Sequence, residues 1–325
     1  MTLDDALIQE RPLARVPDVP HWLENFAWDA FDPVARVAVW VHCGRWFRDP
    51  TVWREFVLVV KDGREYFGRR AFGRLDDPHV LGAAGLRLTC ETPRQRWRLR
   101  YHGAAVRGAI APDAAPPADV DARLLSFDLD WEAAGPLVDF GHGTEPGAAA
   151  SHYEQGGTLR GTVSIDGETI AFDGRSFRDH TRGPRTLEPH FGRHLWIHGT
   201  FPSGRTLSSL AVETPDGRMA LNDLFVTGHD GALARYAFVD PPFRASGDDP
   251  TRPYVLRGVD AGGAQLRVEA APAFWFPIGL APPMDLLLGH PRQAGLWRMF
   301  EMPTRLAWDG EQAWGHTEFT LPRGT

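Results

Sequence analysis

The feature that most constrains this chain is a period-two alternation of apolar and polar residues, punctuated by Asp62-Gly63, Asp166-Gly167, Asp216-Gly217, Asp230-Gly231, Gly262-Gly263 and Asp309-Gly310. Asp-Gly and Gly-Gly supply the positive φ angles that two-residue hairpins need, so each pair predicts a tight turn between antiparallel strands. Val37 to His42, Glu55 to Val60 and Arg64 to Phe67 read as strands, as do Thr162 to Ile165 and Glu168 to Phe172. Leu86, Leu88 and Cys90, then Trp97, Leu99 and Tyr101, then Leu125, Phe127, Leu129 and Trp131 alternate with polar neighbours. No long amphipathic helical pattern appears, and Met284 to Gly289 reads as one short helical turn. Strands spaced this regularly predict an all-β fold, a meander closed into barrels or sandwiches, because closure removes exposed edges.

At 325 residues the chain exceeds what one hydrophobic core usually serves, so two β domains are expected. Residues 1–20 are proline-rich and read as an arm, followed by domains over 21–172 and 173–325. The glycine- and alanine-rich stretch Pro136 to Ala150 reads as a connection, and the join is placed between it and the charged segment Gly174 to Arg185. Trp22, Phe26, Trp28 and Phe31 crowd one short segment, which reads as a cover over an open face or a barrel end.

Net charge of -7 argues against nucleic acid as a partner, since phosphate binding needs surplus basic charge on one face. Lys61 is the only lysine, which confines any Schiff-base chemistry to that position. Cys43 and Cys90 are too few for a disulfide framework or a structural zinc site. The acidic start lacks the apolar core of a signal peptide, and no run approaches the ~20 apolar residues that span a bilayer, so a cytoplasmic protein with no membrane span is expected. The sequence leaves the oligomeric state open, a homodimer included.

The chemistry concentrates in Gly174 to Arg185, which sets Asp179 and His180 among arginines between glycines and a proline. So charged a segment does not read as an ordinary core strand. On an extended chain Asp179 and His180 point to opposite faces. In an apolar site Asp179 would act as a proton donor; alternatively it accepts backbone and arginine hydrogen bonds and fixes a domain corner. Upstream, His152 and Glu154 share a strand face, with Tyr153 beneath, either entering one cavity together or forming a solvated strand entry. In His190 to His198 one face carries His190, His194, Trp196 and His198. Those imidazoles suggest a ligand-facing wall or a metal site, but strand positions four apart lie ~13 Å from each other, too far for a shared ion, and no metal is assigned. Trp314, His316 and Glu318 share parity, so Glu318 could be a second interior carboxylate, and Trp275 in Phe274-Trp275-Phe276 would line an apolar pocket or fill a core. P-loop, dinucleotide-binding, serine-hydrolase and His-Glu-x-x-His signatures are absent.

His152-Tyr153-Glu154-Gln155, Gly161-Thr162-Val163, Asp166-Gly167-Glu168, Arg178-Asp179-His180, Gly183-Pro184-Arg185 and Trp314-Gly315-His316-Thr317-Glu318 together resemble the two-domain lipocalin-like (calycin) superfamily. That superfamily includes carotenoid 1,2-hydratases, kievitone hydratase-like proteins and Diels-Alderase-type cyclases. The resemblance implies two consecutive lipocalin-like barrels with a hydrophobic pocket at or near their interface, and no redox cofactor. It also implies that Asp179 corresponds to the acid of the Asp-His-(Asn/Ser)-Trp-Gly motif and His180 to its neighbour. Thr181 and Arg182 depart from that motif, and an arginine in place of the tryptophan suits an oxygenated or anionic substrate better than a bare hydrocarbon.

The expected function is a cofactor-independent hydratase or cyclase, a lyase or isomerase, acting on an apolar, partly oxygenated terpenoid, steroid or polyketide. Asp179, His180, Glu154 and Glu318 are the candidate catalytic groups, and Arg182, His152, Tyr153, Trp196, His198, Trp275 and Trp314 the candidate substrate contacts. The alternative is a lipocalin-like carrier of a hydrophobic ligand that performs no chemistry.

Overall fold

The computed structural model describes residues 10–77, 79–110, 120–140, 151–184, 191–228, 231–245, 251–281, 285–289 and 297–322. These residues form two compact units, each built almost wholly of antiparallel strands.

The first unit runs through β1 (Trp22–Asp32), β2 (Val37–Trp46), β3 (Asp49–Lys61), β4 (Glu65–Gly73), β5 (Val80–Leu81), β6 (Leu86–Thr92), β7 (Arg96–Ala109), β8 (Ala122–Asp139), whose residues from Ala134 on belong to the second unit, β9 (Ser151–Ile165) and β10 (Glu168–Pro184). Their order in the sheet is β4-β3-β2-β1-β10-β9-β8-β7-β6-β5, and a further β4–β7 pairing brings the sheet back on itself as a barrel. Side chains of one parity fill its interior: Phe26 and Trp28 from β1, Val39 and Val41 from β2, Leu129 from β8 and Leu159 from β9. β6, β7 and β8 alternate buried and exposed positions, whereas β1, β2 and most of β3 are buried on both faces.

The second unit is a closed barrel of β11 (Arg193–Thr200), β12 (Thr206–Glu213), β13 (Met219–Thr227), β14 (Leu233–Phe238), β15 (Tyr254–Asp260), β16 (Gln265–Pro272), β19 (Arg298–Trp308) and β20 (Glu311–Leu321). Leu195, Ile197, Leu224, Val268, Phe300 and Phe319 belong to its core. A separate hairpin pairs β17 (Ile278–Ala281) with β18 (Asp285–Leu288). The all-β fold expected from the alternation, two consecutive barrel-like units with little helix, is the fold observed.

Five local expectations are corrected. Trp22 to Phe31 is not a cover but lies within β1, pairing with β2 on one side and β10 on the other. The charged segment from Gly174 to Pro184 is the second half of β10, a strand flanked on both sides; Arg185 lies outside the described residues. It tolerates that position because its buried charges are paired inside the barrel. Asp285–Leu288 is a strand rather than a helical turn, held by four opposed residues of β17; Met284 lies outside the described residues. Pro136 to Asp139 is strand rather than loop, the end of β8, and is counted with the second unit; 141–150 fall outside the described residues. The expected join at 172/173 falls inside β10, which stays whole in the first unit because it bonds to both β1 and β9. Of the arm, residues 10–20 are described and contain no strand.

The Asp-Gly turns take the geometry that the alternation requires: Asp166 and Gly167 have φ of 49° and 86°. Gly161, in mid-β9, has φ of 147°, and a Cβ there would lie 2.1 Å from the Asp128 carbonyl oxygen. Gly167 has no atom within 4 Å of such a Cβ. Gly161→Ala is therefore expected to cost about 3 kcal/mol or more from strain and overpacking, and Gly167→Ala about 1 kcal/mol, measured as urea unfolding free energies. Equal losses would remove the close approach as the cause.

Candidate functional site

β9 and β10 pair so that Glu154 opposes Asp179 and His152 opposes Thr181, while between them Tyr153 opposes His180 and Gln155 opposes Arg178. Because side chains alternate, the same two strands carry two polar clusters on opposite faces. His152, Glu154, Asp179 and Thr181 form the first, on the face turned away from the barrel core.

Two carboxylates directly opposite each other normally repel. Here His152 and Thr181 stand beside them. His152 Nε2 lies 2.8 Å from Glu154 Oε1, and His152 Nδ1 lies 2.7 Å from Thr181 Oγ1. The Thr181 hydroxyl donates to Asp179 Oδ2 at 3.3 Å, and His152 Nδ1 stands 3.9 Å from that same oxygen. The Glu154 side chain is fully buried, and that of Asp179 retains 16% exposure. Glu154, His152, Thr181 and Asp179 thus form a hydrogen-bonded line from a deep carboxylate to a more accessible one.

The proton count along this line is restrictive. Thr181 has one hydroxyl proton. If Thr181 gives it to Asp179, then His152 Nδ1 must be the protonated nitrogen that donates to Thr181. His152 Nε2 then either accepts from a protonated Glu154 or, in an imidazolium, donates to an ionised one. If instead Thr181 donates to His152 Nδ1, the imidazole is neutral and its Nε2–H serves Glu154. Moving between these arrangements carries a proton along the line, which is what a relay to Asp179 requires.

The second cluster faces the barrel interior. His180, adjacent to Asp179, lies there, with its ring stacked on Phe26 at 3.8 Å. Tyr153 Oη donates to His180 Nδ1 at 2.9 Å, and His180 Nε2 lies 3.5 Å from Glu24 Oε1. Glu24 also accepts from Arg45 Nε at 2.9 Å, from Arg182 Nε at 2.8 Å and from the Leu13 backbone N–H. Burial pushes the Glu24 carboxyl up, but the His180 hydrogen bond and the guanidiniums of Arg182 and Arg45 outweigh it and hold the group at about 2. Burial lowers His180 to about 4, against the pull of Glu24, so it is a neutral imidazole that accepts from Tyr153. Burial also raises the Tyr153 hydroxyl, which remains a donor.

Of the expected site residues, the structure brings His152, Glu154 and Asp179 together, and sets His180, Tyr153 and Arg182 on the opposite face. Arg182 binds Glu24 and the Arg11 carbonyl, so the substrate role suggested by the loss of the motif tryptophan is not where this side chain points.

Trp196, His198 and Glu318 belong to the second unit, where β11 pairs with β20 so that His198 opposes His316 and Trp196 opposes Glu318. The His198 and His316 rings stack at 5.7 Å, and Trp196 lies 4.7 Å from His198. Glu318 takes hydrogen bonds from Thr320 at 2.7 Å and lies 2.8 Å from His194 Nδ1, while His316 Nε2 lies 2.5 Å from Glu301. Trp275 packs against that unit's core, and Trp314 sits opposite Arg305. His190 lies outside the described residues. Among the described residues no group of three His, Cys, Asp or Glu side chains is placed to hold one ion. Sequence reasoning missed Glu24, Arg45 and Arg178; the signal present was strand parity with core residues, Phe26 and Trp28 for Glu24, Val41 and Cys43 for Arg45, and Phe172 for Arg178.

Residues 9–323 match the model of a family described as a domain of unknown function, DUF7064. No curated protein sequence matches the chain at a significant level. Among solved structures, the chain is similar to a Nitrosomonas europaea protein provisionally named AttH, with TM-score 0.62, 13% identity, and coverage of 95% of this chain and 98% of that one. It is also similar to CghA (TM-score 0.57, 12% identity, 94% and 90% coverage) and to kievitone hydratase from Nectria haematococca (0.56, 12%, 93% and 89%). At these identities the likeness establishes the fold alone.

The interior cluster makes stability depend on pH. As pH falls from 6.5 to 4, the unfolded chain takes up a proton at His180 that the folded protein refuses, so stability drops by about 3 kcal/mol over that window. Glu24 adds a loss between 4.5 and 2, where the unfolded carboxyl is protonated and the folded one is not. The urea midpoint of the wild-type protein should therefore fall faster between pH 6.5 and 4.5 than that of His180→Gln. Parallel profiles would mean that His180 is protonated in the folded state.

Proposed function

The chain belongs to the DUF7064 family, and we propose that it is a hydratase or cyclase that protonates a carbon–carbon double bond of an apolar small molecule, with Asp179 as the acid. The observation that carries this reading is the line Glu154–His152–Thr181–Asp179, an acid at the accessible end and a proton reserve behind it. Two of the similar folds support the reaction class by their names or ligands: one is a kievitone hydratase, and CghA has been solved with the small molecule Sch210972.

In the hydration sense, Asp179 in its acid form gives its proton to one alkene carbon, and the π pair becomes the new C–H bond. Water adds to the cationic carbon left behind and loses a proton, so one water is added overall. Asp179 regains a proton as Thr181 passes on its own, takes one from His152 Nδ1, and His152 Nε2 takes one from Glu154. The proton lost by the added water restores the line. In the cyclisation sense a second double bond replaces water, and a carbon-bound proton is lost instead. Terpenoids, steroids and polyketides have the required apolar skeleton and double bonds. The oxygenated character first inferred from Arg182 loses its support, because that guanidinium is bound to Glu24 on the other face.

The proposal is tested by incubating an apolar metabolite extract in D2O with the wild-type protein and with Asp179→Asn, and following masses. The wild-type protein should produce a species carrying solvent deuterium on carbon, and Asp179→Asn should slow its appearance by about 10²–10⁴-fold while keeping the fold. Glu154→Gln should act in the same direction. Equal conversion by wild type and Asp179→Asn would refute Asp179 as the acid. A ligand retained unchanged by both would favour the carrier reading.

A further inference from the structure

The interior cluster ends in an ion pair that the reaction does not use. Arg178 is 1% exposed and Glu10, 168 residues earlier in the arm, is equally buried. The two meet fork to fork: Arg178 Nη1 donates to Glu10 Oε2 and Nη2 to Glu10 Oε1, each at 2.8 Å. Nη2 also donates to Gln155 Oε1 at 2.9 Å. The guanidinium carbon lies 5.1 Å from the Trp131 ring centroid, 5.5 Å from Tyr153 and 5.9 Å from Trp97.

This is a built recognition site for a planar monoanion. The fork matches a carboxylate bidentately, and aromatic faces favour the cation that holds it. The surroundings also have donors in surplus: the indole N–H groups of Trp28, Trp97 and Trp131 and the Nε of Arg178 are buried without an acceptor among the described residues. A fully buried guanidinium stripped of its counter-ion is costly, so the site demands an anion. Glu10 supplies it from a segment outside the sheet, held beside the barrel by the Leu13 N–H on Glu24, the Leu13 carbonyl on Arg45 and the Arg11 carbonyl on Arg182.

We propose that the Arg178 fork in the first barrel is a carboxylate-binding site, that Glu10 is its tethered ligand, and that a free monocarboxylate occupies it when the Glu10 carboxyl is removed. Tethering gives Glu10 an effective concentration of about a millimolar or more, so free carboxylate displaces it poorly from the intact chain. Any carboxylate-bearing metabolite that does enter must therefore exchange with the arm. This makes residues 10–13 the gate of a site back to back with the His152–Glu154–Asp179 face, and the inference stands apart from the proposed reaction.

The test uses the full chain with Glu10→Ala and sodium acetate as the probe, against sodium chloride at equal ionic strength. Glu10→Ala should show a saturable rise in Tm of about 2–4 °C or more in acetate and none in chloride. The wild-type protein and Glu10→Ala/Arg178→Met should show no difference between the salts. If Glu10→Ala does not fold by itself, refolding in acetate should recover it and refolding in chloride should not. Equal response to the two salts in Glu10→Ala, recovery in neither, or an acetate response that survives Arg178→Met overturns the proposal.

Discussion

The register between β9 and β10 decides what each face of the first barrel can do. With Tyr153 opposite His180, odd-numbered residues of β9 and even-numbered residues of β10 turn inward together, and their neighbours turn outward. A slip of one residue would put His152 and Glu154 into the aromatic core and strand Arg178 outside it. The inward set pins the register: Arg178 reaches Glu10 and Gln155, and His180 reaches Tyr153 and Glu24, only at this alignment. Relay geometry on the outer face is thus fixed by charges on the inner one.

Those inner charges are an unusual choice for a barrel core. Burying an ion pair seldom adds stability over well-packed apolar side chains, because desolvation costs as much as the attraction returns. What the network does provide is a single solution. Glu24 accepts from Arg45 on β2, from Arg182 on β10 and from the Leu13 backbone of the arm, so three segments distant in sequence converge on one carboxylate. The neutral state of His180 completes the arrangement, since a charged imidazole would face Arg182 in a nearly dry setting.

How much of this was readable in the chain follows from which distances matter. The alternation in β6, β7 and β8 is visible because one face of each meets water, and Glu154 with His152, or Asp179 against His180, follows from parity alone. β1 and β10 are hidden from local sequence pattern for opposite reasons. Trp22 to Asp32 is buried on both faces and so shows no clean alternation, and Gly174 to Pro184 is so charged that its sequence reads as exposed. Neither reading could be corrected locally. Glu24 looks like a surface charge until Arg182, 158 residues away, is brought beside it by strand pairing. The site's outer face was legible as a set of residue types, but the line joining them depends on the β9–β10 register, which single-strand periodicity does not specify.

The pairing of Trp22 with Pro184 has a consequence for how the chain is made. β1 closes the first barrel against β10, so the ring stays open until the ribosome has added some 150 residues more. At typical synthesis rates of about 5–20 residues per second that is on the order of ten seconds. Throughout it β1, β2 and β3, largely buried on both faces in the finished barrel, wait with an unpaired edge beside the exit tunnel. A nascent chain in that condition is a natural client for a holding chaperone, and its yield in a foreign host should depend more on that interval than on the stability of the finished barrel.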